Sequence, residues 1–243
     1  MVLAVAAIVY VSSPKEPLVY PVRKITIPEG LTSYQIDKIL FENHIISEEG
    51  SFASLKADKF NEYWFLKGAD TLEGFLFPDT YEFYENSSPK VVARKFLENW
   101  NEKASVLFVS KSDVLEKVIM ASLIEKEIPD DKDERAIAAG VIFKRIKEGI
   151  PLQIDATLCY IKDKYWCDKV IPSDKEIDSL YNTYKNKGLP PGPISNPGLS
   201  AIKAALFPEA SEYWYFISDP KTGKTVFAKT LDEHTQNIVK YLR

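Results

Sequence analysis

Histidine and cysteine are almost missing from this chain: His44, His234, Cys159 and Cys167 are its whole stock. That supply is too thin for a zinc site built from His and Cys. It also leaves Ser-His-Asp or Cys-His arrangements almost no base to draw on. Carboxylates are therefore the acids and bases open to an enzyme of this composition. Basic runs are lacking too. Thirty-one Lys and Arg stand against 35 Asp and Glu, for a net charge of -4, which argues against nucleic acid as the main partner. No apolar run reaches the ~20 residues a membrane-spanning helix needs. The longest, Met1 to Val11, ends at Ser12, Ser13 and Pro14, and no basic residues precede it as they would in a signal peptide. It reads as the remnant of a membrane anchor (residues 1–12) whose beginning is missing, with an apolar element packed on the core as the alternative. Cys159 and Cys167, with seven residues between them in "CYIKDKYWC", either close a hairpin disulfide in an oxidising compartment or remain thiols.

What is present supports a folded chain. With 45% hydrophobic and 12% aromatic residues among 243, a substantial core can form, in one large domain or a catalytic domain plus a small module. After a Pro-containing linker (Ser13 to Tyr20), "VRKITIPEGLTSYQIDKILFENHIIS" predicts a strand (Val22 to Ile27), a Pro-Glu-Gly turn and a helix capped by Thr32 or Ser33. "HIIS" then predicts a second short strand and "SFASL" a brief helix. From Thr71 the texture turns aromatic, in "TLEGFLFPDTYEFYENSS". "SPKVVARKFLENWNEKAS" predicts an amphipathic helix with Val91, Val92, Lys95, Phe96 and Trp100 on one face. "SDVLEKVIMASLIEKEIP" predicts another, capped by Ser112 or Asp113 and stopped by Pro129. "DERAIAAGVIFKRIKEG" reads as a helix ended by Gly149. "PLQIDATLCYI" reads as extended, with β-formers from Thr157. A Pro/Gly-punctuated loop follows, then a helix from about Leu199 to Leu206 and a hairpin with strands Tyr213 to Ser218 and Thr225 to Ala228. The fold class expected is α+β: a strand-helix-strand module at residues 21–60 and a mixed catalytic domain at 70–243.

The chemistry concentrates in "ASLIEKE". Met120, Leu123, Ile124 and Glu127 fall at i, i+3, i+4 and i+7, so Glu127 continues an apolar stripe. Glu125 lies about 200° around the axis from it, so the two carboxylates face different ways. Both sit at a helix C-terminus, where the macrodipole disfavours negative charge, and burial acts in the same direction. A carboxylic acid kept protonated near neutral pH suits a general acid for a glycosidic oxygen. A solvated surface cap is the plainer reading of the same residues.

Several motifs carry a resemblance. "LEGFLFPDTYEF", "ASLIEKE", "ERAIAAGVIFKRIKEGIPLQIDATLCY", "YNTYKNKGLPPGPISNPGLSAIKAAL" and "YFISDPKTGKTVFAKTLDEHTQN" resemble, in order and spacing, the endolytic peptidoglycan transglycosylases (MltG/YceG-like). The likeness runs from about Thr71 to the C-terminus, and the segment from Arg23 to Leu55 resembles the LysM-like module that precedes the catalytic part in that family. The resemblance implies an enzyme that cuts the β-1,4 link between N-acetylmuramic acid and N-acetylglucosamine in nascent strands, leaving 1,6-anhydro ends. It needs one glutamate, acting as acid and then base, and no metal or organic cofactor. Alignment with the transglycosylase pattern places that acid at Glu127, with Glu125 as the fallback; Ile128 follows where Ser or Thr is usual. Glu73, Gln153, Asp155, Tyr181, Asn182 and Tyr184 are the candidate substrate-binding residues. A hydrolase would instead take Glu73, Asp79 or Asp155 as a second carboxylate, and a non-catalytic glycan-binding scaffold is the other alternative. The expected partners are peptidoglycan strands, the bacterial cytoplasmic membrane through the single-pass anchor, and cell-wall synthesis proteins. The catalytic part would lie on the extracytoplasmic side.

Overall fold

The computed structural model describes residues 21–128, 132–162, 167 and 169–242; the expected anchor, the linker and Pro129 lie outside them. The order of the described elements is β1 (Val22–Ile27), α1 (Ser33–Glu42), β2 (Asp79–Tyr84), α2 (Pro89–Lys103), α3 (Val114–Glu127), α4 (Lys132–Lys147), α5 (Asp155–Lys162), α6 (Leu199–Leu206), β3 (Tyr215–Ser218), β4 (Thr225–Ala228) and α7 (Leu231–Tyr241). The class is mixed α+β, with two separate two-stranded antiparallel sheets, β1-β2 and β3-β4. No helix among the described residues is long and apolar enough to cross a membrane.

β1 alternates, burying Ile25 and Ile27. It pairs with β2, with Ile25 opposite Tyr81 and Ile27 opposite Asp79, while "HIIS", expected as a second strand, is not one. Local geometry explains the correction. His44 takes φ +60°, and the Ile45 N–H bonds back to the Leu40 carbonyl, so the chain leaves α1 through a left-handed turn. Ile45 and Ile46 are buried as side chains instead of being paired as a strand. "SFASL" is likewise a run of turns and not a helix. The buried carboxylate of Asp37 captures the N–H groups of Gly50, Phe52 and Ala53 at 2.6, 2.7 and 2.9 Å, fixing backbone that a helix would have used otherwise. α1 itself starts with a capping box between Thr32 and Gln35, and buries Ile36 and Leu40.

α2 begins with Ser88 as cap and Pro89 in its first turn. Its buried face is Val92, Ala93, Phe96, Leu97 and Trp100; the expected Val91 and Lys95 are exposed. The stripe is rotated because β2 meets it from that side: Tyr81 lies 4.4 Å from Phe96, and Phe65 lies 4.2 Å from Trp100, ring centre to ring centre. α3 has no polar face over its middle, since Val118 to Glu125 are all buried, and it packs against α6, α4 and α5. Here the expected one-sided stripe gives way to a central helix enclosed by its neighbours. Asp113 occupies the cap position, with no side-chain cap bond.

The segment "DATLCYI" corrects another expectation, because it is a helix, α5, and not a strand. Thr157 and Leu158 are fully buried, the Thr157 hydroxyl donates to the Ile154 carbonyl at 2.7 Å, and tertiary placement overrides the β-forming residue types. Cys159, on this helix, is joined to Cys167 by a disulfide, with Cα atoms 5.3 Å apart.

One buried cluster ties distant segments together. Asn196, from the Pro-rich loop, accepts the N–H groups of Gly74 and Leu76 at 2.8 and 2.9 Å. It donates to the Leu31 carbonyl and to Glu73 Oε1 at 3.0 and 2.8 Å. Asn196→Ala strips four hydrogen bonds from buried groups, so unfolding in urea should show a loss of roughly 3–5 kcal/mol; a loss under 1 kcal/mol would show that the cluster is not holding these segments.

Candidate active site

The two glutamates at the end of α3 have different surroundings. Glu125 is buried among protein groups. Its Oε1 receives Arg135 Nη2 at 2.7 Å, and its Oε2 receives the Gly198 N–H at 2.9 Å. Arg135 also donates through Nε to the Ile128 carbonyl at 2.8 Å. Burial pushes the Glu125 carboxyl up, against the Gly198 N–H and the Arg135 guanidinium, which favour its charged form. With both oxygens engaged, Glu125 clips α3 to α4 and to the loop before α6. A Cβ built at position 198 falls 1.9 Å from Glu29 Oε1, so the Glu29 carboxylate packs against the bare backbone there and a side chain would push it aside.

Glu127 is half-buried and faces a small cavity of about 110 Å³, which Arg145, Gln153, Tyr215 and His234 also line. Two elements hold it. The Ser218 hydroxyl, at the end of β3, donates to the Glu127 backbone carbonyl at 2.6 Å and ties the helix end to the hairpin. The Ala156 N–H, in the first turn of α5, donates to the carboxylate, and Asp155 beside it adds a like charge. Burial first, and then Asp155, push Glu127 up to about 7; the Ala156 N–H and Lys126 favour ionisation and lose.

Of the sequence candidates, Gln153, Asp155 and Tyr184 gather near Glu127. Gln153 holds φ +55°, its N–H donates to the Thr183 carbonyl at 3.1 Å, and its side-chain oxygen accepts from Arg145 Nη2 at 3.4 Å. Tyr184 donates its hydroxyl to Asp155 Oδ1 at 2.5 Å, and burial and that carboxylate raise its pKa. The remaining candidates lie elsewhere. Asn182 is fully buried, donating to the carbonyls of Lys175 and Ile177 at 3.0 and 2.8 Å and accepting the Tyr184 N–H, so its side chain holds the loop's shape. Glu73 sits in the Asn196 cluster, where it also accepts from the Ser33 N–H and hydroxyl. Tyr181 lines a second, larger cavity. Asp79, the other rival carboxylate, bonds Lys103 and Asn99; burial raises it, and these two partners override that and hold it at about 2.

Sequence reasoning missed three residues of the Glu127 cavity or gave them no role in it. Arg145 is buried, donating to the carbonyls of Trp214 and Pro151 at 3.1 and 2.6 Å, and lies over the Tyr215 ring. His234 stacks on that same ring at 4.9 Å; burial and then Arg145 lower its pKa. The signal for Arg145 was there: it follows Val141 and Ile142 at helical spacing, a cation placed among buried neighbours.

The raised Glu127 pKa has a stability consequence. Between its ordinary value of 4.5 and about 7 the native state holds a proton that the unfolded chain releases, so stability falls as pH rises through that window. Glu127→Gln removes the penalty. Denaturation at pH 4.5 and pH 7.5 should show the variant gaining on the wild type by about 1–3 kcal/mol at the higher pH; an equal difference at both would mean the carboxyl titrates normally.

Similarity to known proteins extends over nearly the whole chain. The YceG-like family model matches residues 6–240. An endolytic murein transglycosylase of Bacillus subtilis (strain 168) is 36% identical over 237 residues, covering 90% of this chain and 65% of the relative. One of Streptococcus pneumoniae (strain ATCC BAA-255 / R6) is 29% identical over 256 residues, covering 94% and 46%. This chain thus spans less than two thirds of the length of either relative. The crystal structure of a YceG-like protein of Listeria monocytogenes matches with a TM-score of 0.75 at 34% identity, over 90% of this chain and 76% of that one. The chain belongs to the YceG-like family.

Proposed function

We propose that this protein is an endolytic lytic transglycosylase of peptidoglycan, with Glu127 as its single acid and base. The observation that carries this reading is the Glu127 carboxyl, held at about 7 by burial and Asp155 and facing a cavity. The names of the relatives, endolytic murein transglycosylase, support the substrate and the reaction type. In the proposed reaction the protonated Glu127 gives its proton to the glycosidic oxygen of the leaving N-acetylglucosamine as the bond to C1 of N-acetylmuramic acid breaks. The resulting carboxylate takes the proton from the muramoyl 6-hydroxyl, whose oxygen closes on C1. The acid is regenerated, no water is consumed, and the product end is 1,6-anhydro. The Ala156 N–H stabilises the carboxylate between the two steps.

The segment from β1 through α1 is proposed as the LysM-like part, with β2 supplying its closing strand. An N-terminal anchor in the cytoplasmic membrane, an extracytoplasmic active site and contacts with cell-wall synthesis proteins complete the reading.

A muramidase-type hydrolase is the second reading, and Asp155 favours it, because it is a second carboxylate beside Glu127. Its hydrogen bond from Tyr184 makes it a poorer nucleophile or base, which tips the balance to the one-glutamate mechanism. Mass spectrometry of digested glycan separates the two: anhydro ends are expected, and reducing ends alone would overturn the transglycosylase. Glu127→Gln should lower turnover by roughly 10²–10⁴-fold, whereas unchanged turnover would move the acid elsewhere. Because the working acid must start protonated, kcat should fall as pH rises through about 7; a rate flat from pH 5 to 9 would contradict that role.

A further inference from the structure

The largest cavity described is not at Glu127. It has a volume of about 580 Å³ and lies between α1, residues 53–56 and 69–71, the far end of α5, and the loop through Ser179, Tyr181 and Pro191–Pro193. We propose that it is a second saccharide-binding subsite, joined to the acid's surroundings through α5 and the loop through Tyr181 and Tyr184. This rests on the glycan-cleaving reading above and adds a site to it.

The lining suits a pyranose. Three tyrosines, Tyr34, Tyr160 and Tyr181, supply aromatic faces, and Ser54 and Ser179 supply hydroxyls. The two charged residues on the wall, Lys56 and Asp70, pair with each other at 2.8 Å, so the cavity offers no uncompensated charge to select an anion or a cation. Its volume is within the range of small-ligand sites, about 300–1,000 Å³. The rings are held in place before any ligand arrives. Tyr160 and Tyr181 meet at 5.2 Å with 41° between their planes, and the Tyr160 hydroxyl reaches the buried Glu73 at 3.5 Å. A side chain at Gly192 would come to 2.6 Å from the Tyr181 hydroxyl, so glycine there leaves that hydroxyl its position.

Two segments run from the acid to this cavity. α5 has Asp155, beside Glu127, at one end and Tyr160 and Ile161 in the cavity five residues later, about 7.5 Å along its axis. The motif "YNTY" is divided in the same way, with Tyr184 bonded to Asp155 and Tyr181 in the cavity, while Asn182 and Thr183 between them are buried. Tyr34, from α1, closes the opposite wall, so the N-terminal segment contributes directly to the subsite.

The test uses full-length Glu127→Gln, which does not consume its ligand, and N-acetylchitohexaose as the probe. Calorimetry should give a Kd at least about tenfold weaker when Tyr34→Ala is added, which removes a ring, and when Ser54→Trp is added, which fills the cavity. Amide resonances of Tyr34, Ser54 and Tyr181 should shift on titration. Equal affinity in all three proteins, no binding to any, or shifts confined to residues 153–156 and 215–218 would overturn the subsite. The two readings fail separately. If strands stay intact in wild-type protein while the hexaose still binds through Tyr34, the chemistry is wrong and the subsite stands. If anhydro ends form and adding Tyr34→Ala leaves the hexaose affinity unchanged, the subsite is wrong and the chemistry stands.

Discussion

A buried carboxylate obliges the protein around it to supply donors, and Glu73 imposes that obligation on three separate stretches of chain. It is only 2% exposed, and an unmatched charge at such depth would cost several kcal/mol. The donors come from Ser33 at the start of α1, from Asn196 in the Pro-rich loop and, at longer range, from Tyr160 on α5. Asn196 in turn accepts the N–H groups of Gly74 and Leu76, so the backbone next to Glu73 is fixed by the side chain that satisfies it. The N-terminal segment, the aromatic segment and the Pro-rich loop are therefore positioned by one network. Both cavities inherit their walls from it: α5 reaches Glu127 with its first turn and Tyr160 with its last.

The end of α3 shows how little sequence separates a carboxylate locked between protein partners from one that faces a cavity. Two residues of helix rotate Glu125 toward Arg135 and Gly198, where both its oxygens are used, and turn Glu127 toward a cavity. A buried ion pair like Glu125–Arg135 contributes modestly as a pair and is costly to break singly, because either partner alone is left charged in the interior. That asymmetry suits a clip. It holds α4 and the loop before α6 against α3, and so holds the helix end that presents Glu127.

Period and capping made much of this architecture legible. β1, α1 with its Thr32 cap, α2 with Ser88 and Pro89, α6 and the β3-β4 hairpin all follow from local pattern. What was not legible depended on contacts made over long separations. Asp37 reaching Gly50 and Phe52 turned an expected helix into turns, and the strand that lies beside β1 is the distant β2, while "HIIS" forms no strand. α5 read as extended because Thr157, Cys159, Tyr160 and Ile161 are β-formers, and nothing local reveals that the Ala156 N–H in its first turn is wanted by Glu127 far earlier in the chain. The opposed directions of Glu125 and Glu127 were legible from helix geometry alone. The split of Tyr181 and Tyr184 between two cavities was not, since it depends on where α1 and α5 meet the loop.

Glu127 lies where two helix termini meet with opposite electrostatic sense. The carbonyl end of α3 disfavours its charge, and the amide end of α5 favours it through the Ala156 N–H. Were these the only influences, they would largely cancel and leave an ordinary carboxyl. Burial and Asp155 break the balance toward the protonated form, to about 7. The proposed reaction, which asks one group to give a proton and then take one, would gain nothing from a strongly biased pKa in either direction. A group held near the working pH loses little driving force in either step. The Ile128 that follows Glu127 bears on the same point. It is buried and carries no hydroxyl to share the proton. In the proposed reaction the Ala156 backbone amide is a donor to the carboxylate, so the position of α5 would perform a task that a neighbouring hydroxyl could otherwise share.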